Sequence, residues 1–104
     1  MDISYKEQEG VFTLFLNGRL DGTGAGQLDI EIENQIAKVK SKLILDYAEV
    51  SYISSIGLRV IVKYAKQLRK EGIDFQLINV NSDVYKVFKL TGFTGIINIS
   101  RING

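Results

Sequence analysis

Neither cysteine nor histidine occurs anywhere in the chain, and proline is missing as well. Without cysteine there is no disulfide, no thiolate nucleophile and no cysteine-ligated zinc. Without histidine, the commonest acid/base catalyst and the commonest metal ligand are both gone. These two absences count heavily against an enzyme, and no cofactor or metal is expected. The missing proline means that no element is interrupted from within. An excess of one charge is also lacking, because 13 Lys and Arg against 12 Asp and Glu leave a net charge of +1. A duplex binder normally carries a strong basic excess, so direct contact with nucleic acid is not expected. No apolar run approaches the roughly 18 residues of a spanning helix, so no membrane insertion is expected. The opening MDISYKEQEG lacks the basic and apolar regions of a signal peptide, which points to the cytoplasm.

What is present is an ordinary globular composition, 45% hydrophobic and 24% charged over 104 residues. That length suits one domain spanning residues 1–104. Ile3 to Glu9 and Val11 to Leu16 read as strands joined at Glu9-Gly10, a hairpin. Asp21 to Gly26 (DGTGAG) reads as a glycine-rich loop leading to a helix, with Thr23 as N-cap. Leu28, Ile32, Ile36 and Val39 recur at helical spacing through about Lys40. Leu43-Ile44-Leu45, ending at Asp46, has the continuous apolar character of a strand buried on both faces. Ser51 to Ser54 reads as a connection. Gly57 to Lys70 follows as a helix with a core stripe of Leu58, Ile61, Val62, Ala65 and Leu68. Phe75 to Val80 is a strand, and Ser82 caps a short helix to Leu90 with Val84, Val87 and Phe88 inward. Ile96 to Ile99 is the last strand.

The order is therefore β-β-α-β-α-β-α-β, an α/β fold. Strands alternating with helices after a hairpin predict a mostly parallel central sheet with helices packed on it. One sheet face is expected to be thinly covered, open to a homodimer or another partner.

The stretch with chemical content is LILDYAEVSYISSIGLRVI, Leu43 to Ile61. A strand ends at Asp46, and a helix begins at Ser55-Ile56-Gly57. A hydroxyl presented at a helix N-terminus lies beside free backbone N–H groups and the positive end of the helix dipole. A phosphate there is locally stabilised. Position alone favours the plainer reading, a serine that serves only as N-cap. DGTGAG lacks the G-x-x-x-x-G-K-[ST] spacing of a phosphate cradle and does not open a βαβ unit, so it reads as a flexible loop. A phospho-aspartate receiver needs clustered acids at a strand end, and only Asp46 has such a place. Arg59, Lys63, Lys66 and Lys70 recur on the polar face of the second helix. They form either a solvated face or a contact for an acidic patch on a partner, with Val60 and Tyr64 as flanking anchors.

The same stretch resembles the central motif of the anti-sigma factor antagonist family, whose fold is called the STAS domain. Asn17-Gly18-Arg19-Leu20-Asp21, with Ala25 and Leu28, resembles that family's second signature. FQLINV, with Val84, Phe88, Leu90, Thr91, Gly92 and Phe93, resembles its C-terminal half. The resemblance implies partner switching: the unphosphorylated protein binds an anti-sigma factor serine kinase, phosphorylation releases it, and a serine phosphatase resets it. It implies Ser55 as the phosphoacceptor, with Ser54 as the alternative. Asp21 aligns with an acidic loop residue near that serine, and Asp46 with the acid closing the central strand. Gly57 and Leu58 match the Gly-Leu that opens the next helix; Arg59 and Lys63 beyond it stay candidates for a partner contact on their charge pattern alone. Asp21 and Asp46 can also be read as residues that pin their own loops. The fold is reused, so the resemblance also permits an unphosphorylated STAS subunit of a transporter or stress-signalling assembly. A sensor or enzyme reading finds no catalytic set, since no histidine is there to activate Ser55.

Overall fold

A computed structural model describes residues 1–102. Strands β1 (Asp2–Gln8) and β2 (Val11–Leu20) precede helix α1 (Gly22–Gln35), and β3 (Lys42–Ile53) precedes α2 (Ser55–Lys70). Strand β4 (Asp74–Val80), helix α3 (Ser82–Leu90) and strand β5 (Asn98–Arg101) complete the chain. The five strands form one sheet in the order β1-β2-β3-β4-β5, with β1 antiparallel to β2 and the other pairs parallel. This is the expected α/β order.

The strand order never reverses. Crossovers of one hand therefore all return on the same side of the sheet. Burial along the strands shows the consequence. Phe12, Leu14 and Leu16 of β2, Leu43, Leu45 and Tyr47 of β3, and Leu77 of β4 are buried under the helices. Their alternating neighbours Thr13, Ile44, Asp46 and Ile78 are only half-buried, and Phe15 is exposed. The expectation that Leu43 to Leu45 is covered on both faces is thus corrected. The run is apolar because Ile44 sits in the middle of a three-strand patch between β2 and β4, shielded sideways by its neighbours rather than from above.

Several boundaries move for identifiable reasons. Strand β3 runs through the expected Ser51–Ser54 connection because β2 continues to pair with it, up to Leu20 opposite Ile53. DGTGAG is not a loop: it supplies the first turn of α1, and Asp21 rather than Thr23 is the N-cap, accepting from the Gly24 N–H at 2.9 Å. Asn81 rather than Ser82 caps α3, accepting from the Val84 N–H at 2.9 Å while its amide donates to the Val50 carbonyl at 2.8 Å. Strand β5 starts at Asn98, because Phe93–Gly95 forms a short 3-10 turn and Ile96 stays exposed. Glu9 and Gly10 make the hairpin turn with φ of 53° and 85°, the positive pair that a twisted two-residue hairpin requires.

The fully buried positions of α2 are Gly57, Val60, Ile61, Tyr64 and Leu68. Leu58, Val62 and Ala65 are half-buried instead. Helix α2 packs on the sheet and on α1 together, so its buried arc is turned toward Tyr64. Val60 and Tyr64, at 8% and 2% exposure, are core residues and not anchors for a partner. The Tyr64 hydroxyl donates to Asp29 of α1, at the carboxylate and, at 3.0 Å, the carbonyl. Lys63 pairs with the same carboxylate at 2.9 Å. This cluster ties α1 to α2.

The electrostatics of the cluster give a testable pH dependence. The hydrogen bond from Tyr64, then that from Lys63, holds the Asp29 carboxyl below its usual range. A carboxyl lowered in the folded state stabilises fully above its unfolded value, and that contribution is lost as pH falls through the folded one. Burial first, and the Asp29 contact second, push the Tyr64 phenol up to about 12. The unfolded chain then ionises near pH 10 while the folded one does not, so stability declines as pH rises from about 10 to about 12. Tyr64→Phe is expected to make this alkaline decline shallower, leaving the part contributed by the Tyr47 phenol, which burial also pushes up, and to cost about 1 kcal/mol at neutral pH. Asp29→Asn is expected to flatten the acid limb. Urea midpoints measured from pH 3 to pH 11 check both, and an unchanged alkaline limb in Tyr64→Phe would contradict the assignment.

Candidate functional site

The carbonyl of Leu20, the last residue of β2, organises the site. It accepts from the Ser54 backbone N–H at 2.9 Å and from the Ser54 hydroxyl at 2.8 Å. The Ser54 oxygen in turn accepts from the Gly57 N–H at 3.1 Å, as N-cap of α2. The first intrahelical bond, Leu58 N–H to the Ser54 carbonyl, measures 2.9 Å. Ser54 is therefore half-buried, with its proton donated and its oxygen accepting. Its neighbour Ser55 is the first residue of the helix and is exposed. The N-cap position beside this helix start thus belongs to Ser54 and not to Ser55, because the Ser54 Oγ meets both Leu20 and Gly57.

The start of α2 is pressed against β2. A Cβ on Gly57 would lie 2.9 Å from the Leu20 carbonyl oxygen and 3.0 Å from the Ile53 side chain. Glycine is needed there for a close approach, so Gly57 is buried and offers no contact surface. Leu58 is half-buried beside it. Helix α1 starts alongside in the same way, and a Cβ on Gly24 would fall 2.1 Å from the Arg19 carbonyl oxygen. Two helix N-termini thus stand next to each other at the C-terminal ends of β2 and β3. Ile56 closes the gap between them, since a Cβ on Gly22 would meet its Cδ1 at 3.7 Å.

The structure brings some of the expected residues together and separates others. Asp21 is half-buried and directly follows Leu20, so it belongs to this end of the sheet. One of its carboxylate oxygens caps α1 through Gly24. Asp46 does not border Ser55, nor does it close β3. It pairs in mid-strand with Phe15 and Ile78. Five β2 residues separate that register from the Leu20–Ile53 level, roughly 15 Å of strand. Asp46 accepts from the Ala48 N–H at 2.9 Å and from the Asn79 amide at 3.2 and 3.3 Å. It holds β3 where the strand parts from β4, at an Asn79 with φ of 57°. Arg59 is exposed on the outer face of α2. Lys63 is committed to Asp29, whose hydrogen bond raises the Lys63 ammonium above its ordinary value.

Two features of this end were not anticipated. Ile56 is 47% exposed beside Ser55. Arg19 lies over the Tyr52 ring, 4.3 Å from its centroid, on neighbouring strands at the same level. The sequence carried a signal for the first, an apolar residue off the core stripe of α2. The second pair depends on strand register and had none. No helix among the described residues is long and apolar enough to cross a membrane.

Comparison with known proteins agrees with this geometry. The STAS domain profile matches residues 2–102. A candidate anti-sigma factor antagonist of Bordetella bronchiseptica, BtrV, is 32% identical over 100 residues, covering 96% of this chain and 86% of that protein. The anti-sigma-B factor antagonist of Listeria monocytogenes is 31% identical over 91 residues, covering 88% of this chain and 80% of that one. Among solved structures, the crystal structure of a candidate anti-sigma factor antagonist from Thermotoga maritima superposes with a TM-score of 0.88 at 28% identity, over 94% of this chain and 85% of that chain. With the STAS domain profile matching nearly its whole length, the chain belongs to the STAS-domain family.

Proposed function

We propose that this chain is an anti-sigma factor antagonist that works by partner switching at Ser55. It acts in the cytoplasm as a binding module without catalysis of its own. Unphosphorylated, it binds an anti-sigma factor serine kinase and so frees a sigma factor. The kinase then uses ATP: the Ser55 oxygen forms a bond to the γ-phosphorus, ADP leaves, and the hydroxyl proton passes to a base on the kinase. The new dianion breaks the complex, and a serine phosphatase restores the hydroxyl.

One observation carries this reading, the division of labour between adjacent serines. Ser54 is held by Leu20 and Gly57, whereas Ser55 is exposed at the positive end of a 16-residue helix. A phosphate at Ser55 gains the helix dipole and needs no rearrangement of the core. It adds a charge of about −1.5 to −2 to the surface a partner must cover. Asp21, at the adjoining helix start, supplies a negative charge there already and fixes the first turn of α1 through its cap. Arg59, on the first turns of α2, is the nearest exposed cation of the basic face and offers a partner an electrostatic contact.

The test is mass spectrometry of the chain after incubation with ATP and the anti-sigma factor kinase of the same genome. Phosphate is expected on Ser55. Stoichiometric phosphate on Ser54 with none on Ser55 would sink the assignment.

A further inference from the structure

Ile56 is a poor choice for the fold in every local respect. It is the second residue of α2, where an acid would complement the helix dipole. A β-branched side chain is not favoured in a helix over alanine or an unbranched residue. The buried arc of α2 runs through Gly57, Ile61, Tyr64 and Leu68, so no core position calls for an apolar group at 56. Yet the side chain stands 47% exposed immediately beside the Ser55 hydroxyl. Toward α1 it faces Gly22, where an added Cβ would stand in ordinary van der Waals contact, 3.7 Å from the Ile56 Cδ1, so about half of the side chain is left to solvent. Other apolar side chains are exposed on the surface, Ile30, Leu90 and Ile96 among them; what singles out Ile56 is its place next to Ser55 at the start of α2.

We infer that Ile56 is the specificity anchor of the phosphoacceptor site, a fixed apolar knob that seats in an aliphatic-lined pocket of the kinase. The inference rests on the reading of Ser55 as acceptor. A few side chains seated in desolvated pockets carry most of the affinity of an interface, and a side chain held on a helix turn loses little conformational freedom on being seated. Burying it in the kinase returns the hydrophobic stabilisation that the isolated domain forgoes. The pocket that takes Ile56 thus holds the chain on the kinase surface beside Ser55, in the ground state and the transition state alike. A kinase with a polar or filled surface at that place would strand the side chain against polar groups, and this excludes non-cognate partners. The partner is thereby described by its chemistry: an ATP-dependent serine kinase with an apolar pocket one residue beyond the acceptor position.

The experiment compares wild type, Ile56→Ala, Ile56→Gln and Ile56→Leu with the anti-sigma factor kinase of the same genome. It measures steady-state phosphorylation, affinity of the unphosphorylated complex, and thermal unfolding. Ile56→Ala and Ile56→Gln are expected to raise KM and Kd at least about tenfold with kcat little changed, the pattern of lost uniform binding. Ile56→Leu is expected to restore both constants to within about threefold, because a pocket accepts an isomeric aliphatic chain. The thermal midpoint of Ile56→Ala should equal that of wild type. Wild-type constants for Ile56→Ala overturn the inference and leave the Ser55 reading standing. Loss of binding in step with a fall in thermal midpoint also overturns it, since the role would then be structural. Absence of phosphate on wild-type Ser55 overturns the acceptor reading itself, and the inference with it.

Discussion

Gly24→Ala is expected to destabilise the fold by roughly 3 kcal/mol or more, the upper range for overpacking against a rigid neighbour. The new Cβ would lie 2.1 Å from the Arg19 carbonyl oxygen and 3.2 Å from its carbon. Both atoms belong to the backbone of β2, which at this level is held by its pairing with β3, Arg19 opposite Tyr52, and has little room to give way. Relief would require the first turn of α1 to lift off the strand. That motion would break the Asp21 cap and expose Ala25 and Leu28, both fully buried. Against a total stability of about 5–15 kcal/mol, the loss is a large fraction. Gly26, two residues on in the same helix, supplies the control. A Cβ there meets nothing within 4 Å, so Gly26→Ala should stabilise by about 0.5–1 kcal/mol through helix propensity alone. Urea unfolding of the two variants gives the comparison, and equal stabilities would show that α1 does not sit against Arg19 as described.

The second large effect separates the two serines. Ser54→Ala is expected to cost about 1–2 kcal/mol, the usual loss for an N-cap, while leaving phosphate transfer to Ser55 intact. The substitution removes the acceptor for the Gly57 N–H and one of the two donors to Leu20. Ser55→Ala should change stability by no more than about 0.5 kcal/mol, as an exposed position does, and should abolish phosphorylation. Ser55→Asp should weaken the kinase complex at least about tenfold, or about 1.4 kcal/mol. It should not weaken the fold, because an acid at the first helical position complements the dipole by about 0.3–1 kcal/mol. Opposite signs on stability and binding are the diagnostic. The prediction fails if Ser55→Asp binds the kinase as tightly as wild type, or if Ser54→Ala is the variant that loses its phosphate.

Much of the fold was legible because its elements are locally consistent. The hairpin, the three amphipathic helices and the alternation that forces parallel pairing all lie in contiguous stretches. The errors share a cause. Thr23 looked like the cap of α1 because three glycines surround it, and glycine ordinarily argues against helix. Here Gly24 is helical because the turn approaches Arg19 too closely for any side chain. Leu43-Ile44-Leu45 looked doubly buried because period and apolarity cannot separate burial under helices from burial between neighbouring strands. Val60 and Tyr64 looked peripheral because the helix was read against one surface, whereas α2 packs against both the sheet and α1.

The site followed the same division. Its chain neighbours Ser54, Ser55, Gly57 and Leu58 could be read from one helix start. Asp46 could not be excluded from it, because a strand's length is decided by its partner. Strand β3 continues to Ile53 only while β2 runs beside it to Leu20.

From the amino-acid order alone came the element types, the parallel sheet, the poverty of catalytic groups and a serine pair at a helix start. Those properties depend on composition and on contacts within one turn or one strand. Which serine keeps its hydroxyl free was decided only in three dimensions, by a carbonyl 34 residues away in sequence that claims the proton of Ser54. The tie of Tyr64 to Asp29, 35 residues apart, has the same origin. A hydrogen bond needs its partners within about 3 Å, and separation along the chain says nothing about that distance until the sheet has brought the two ends together.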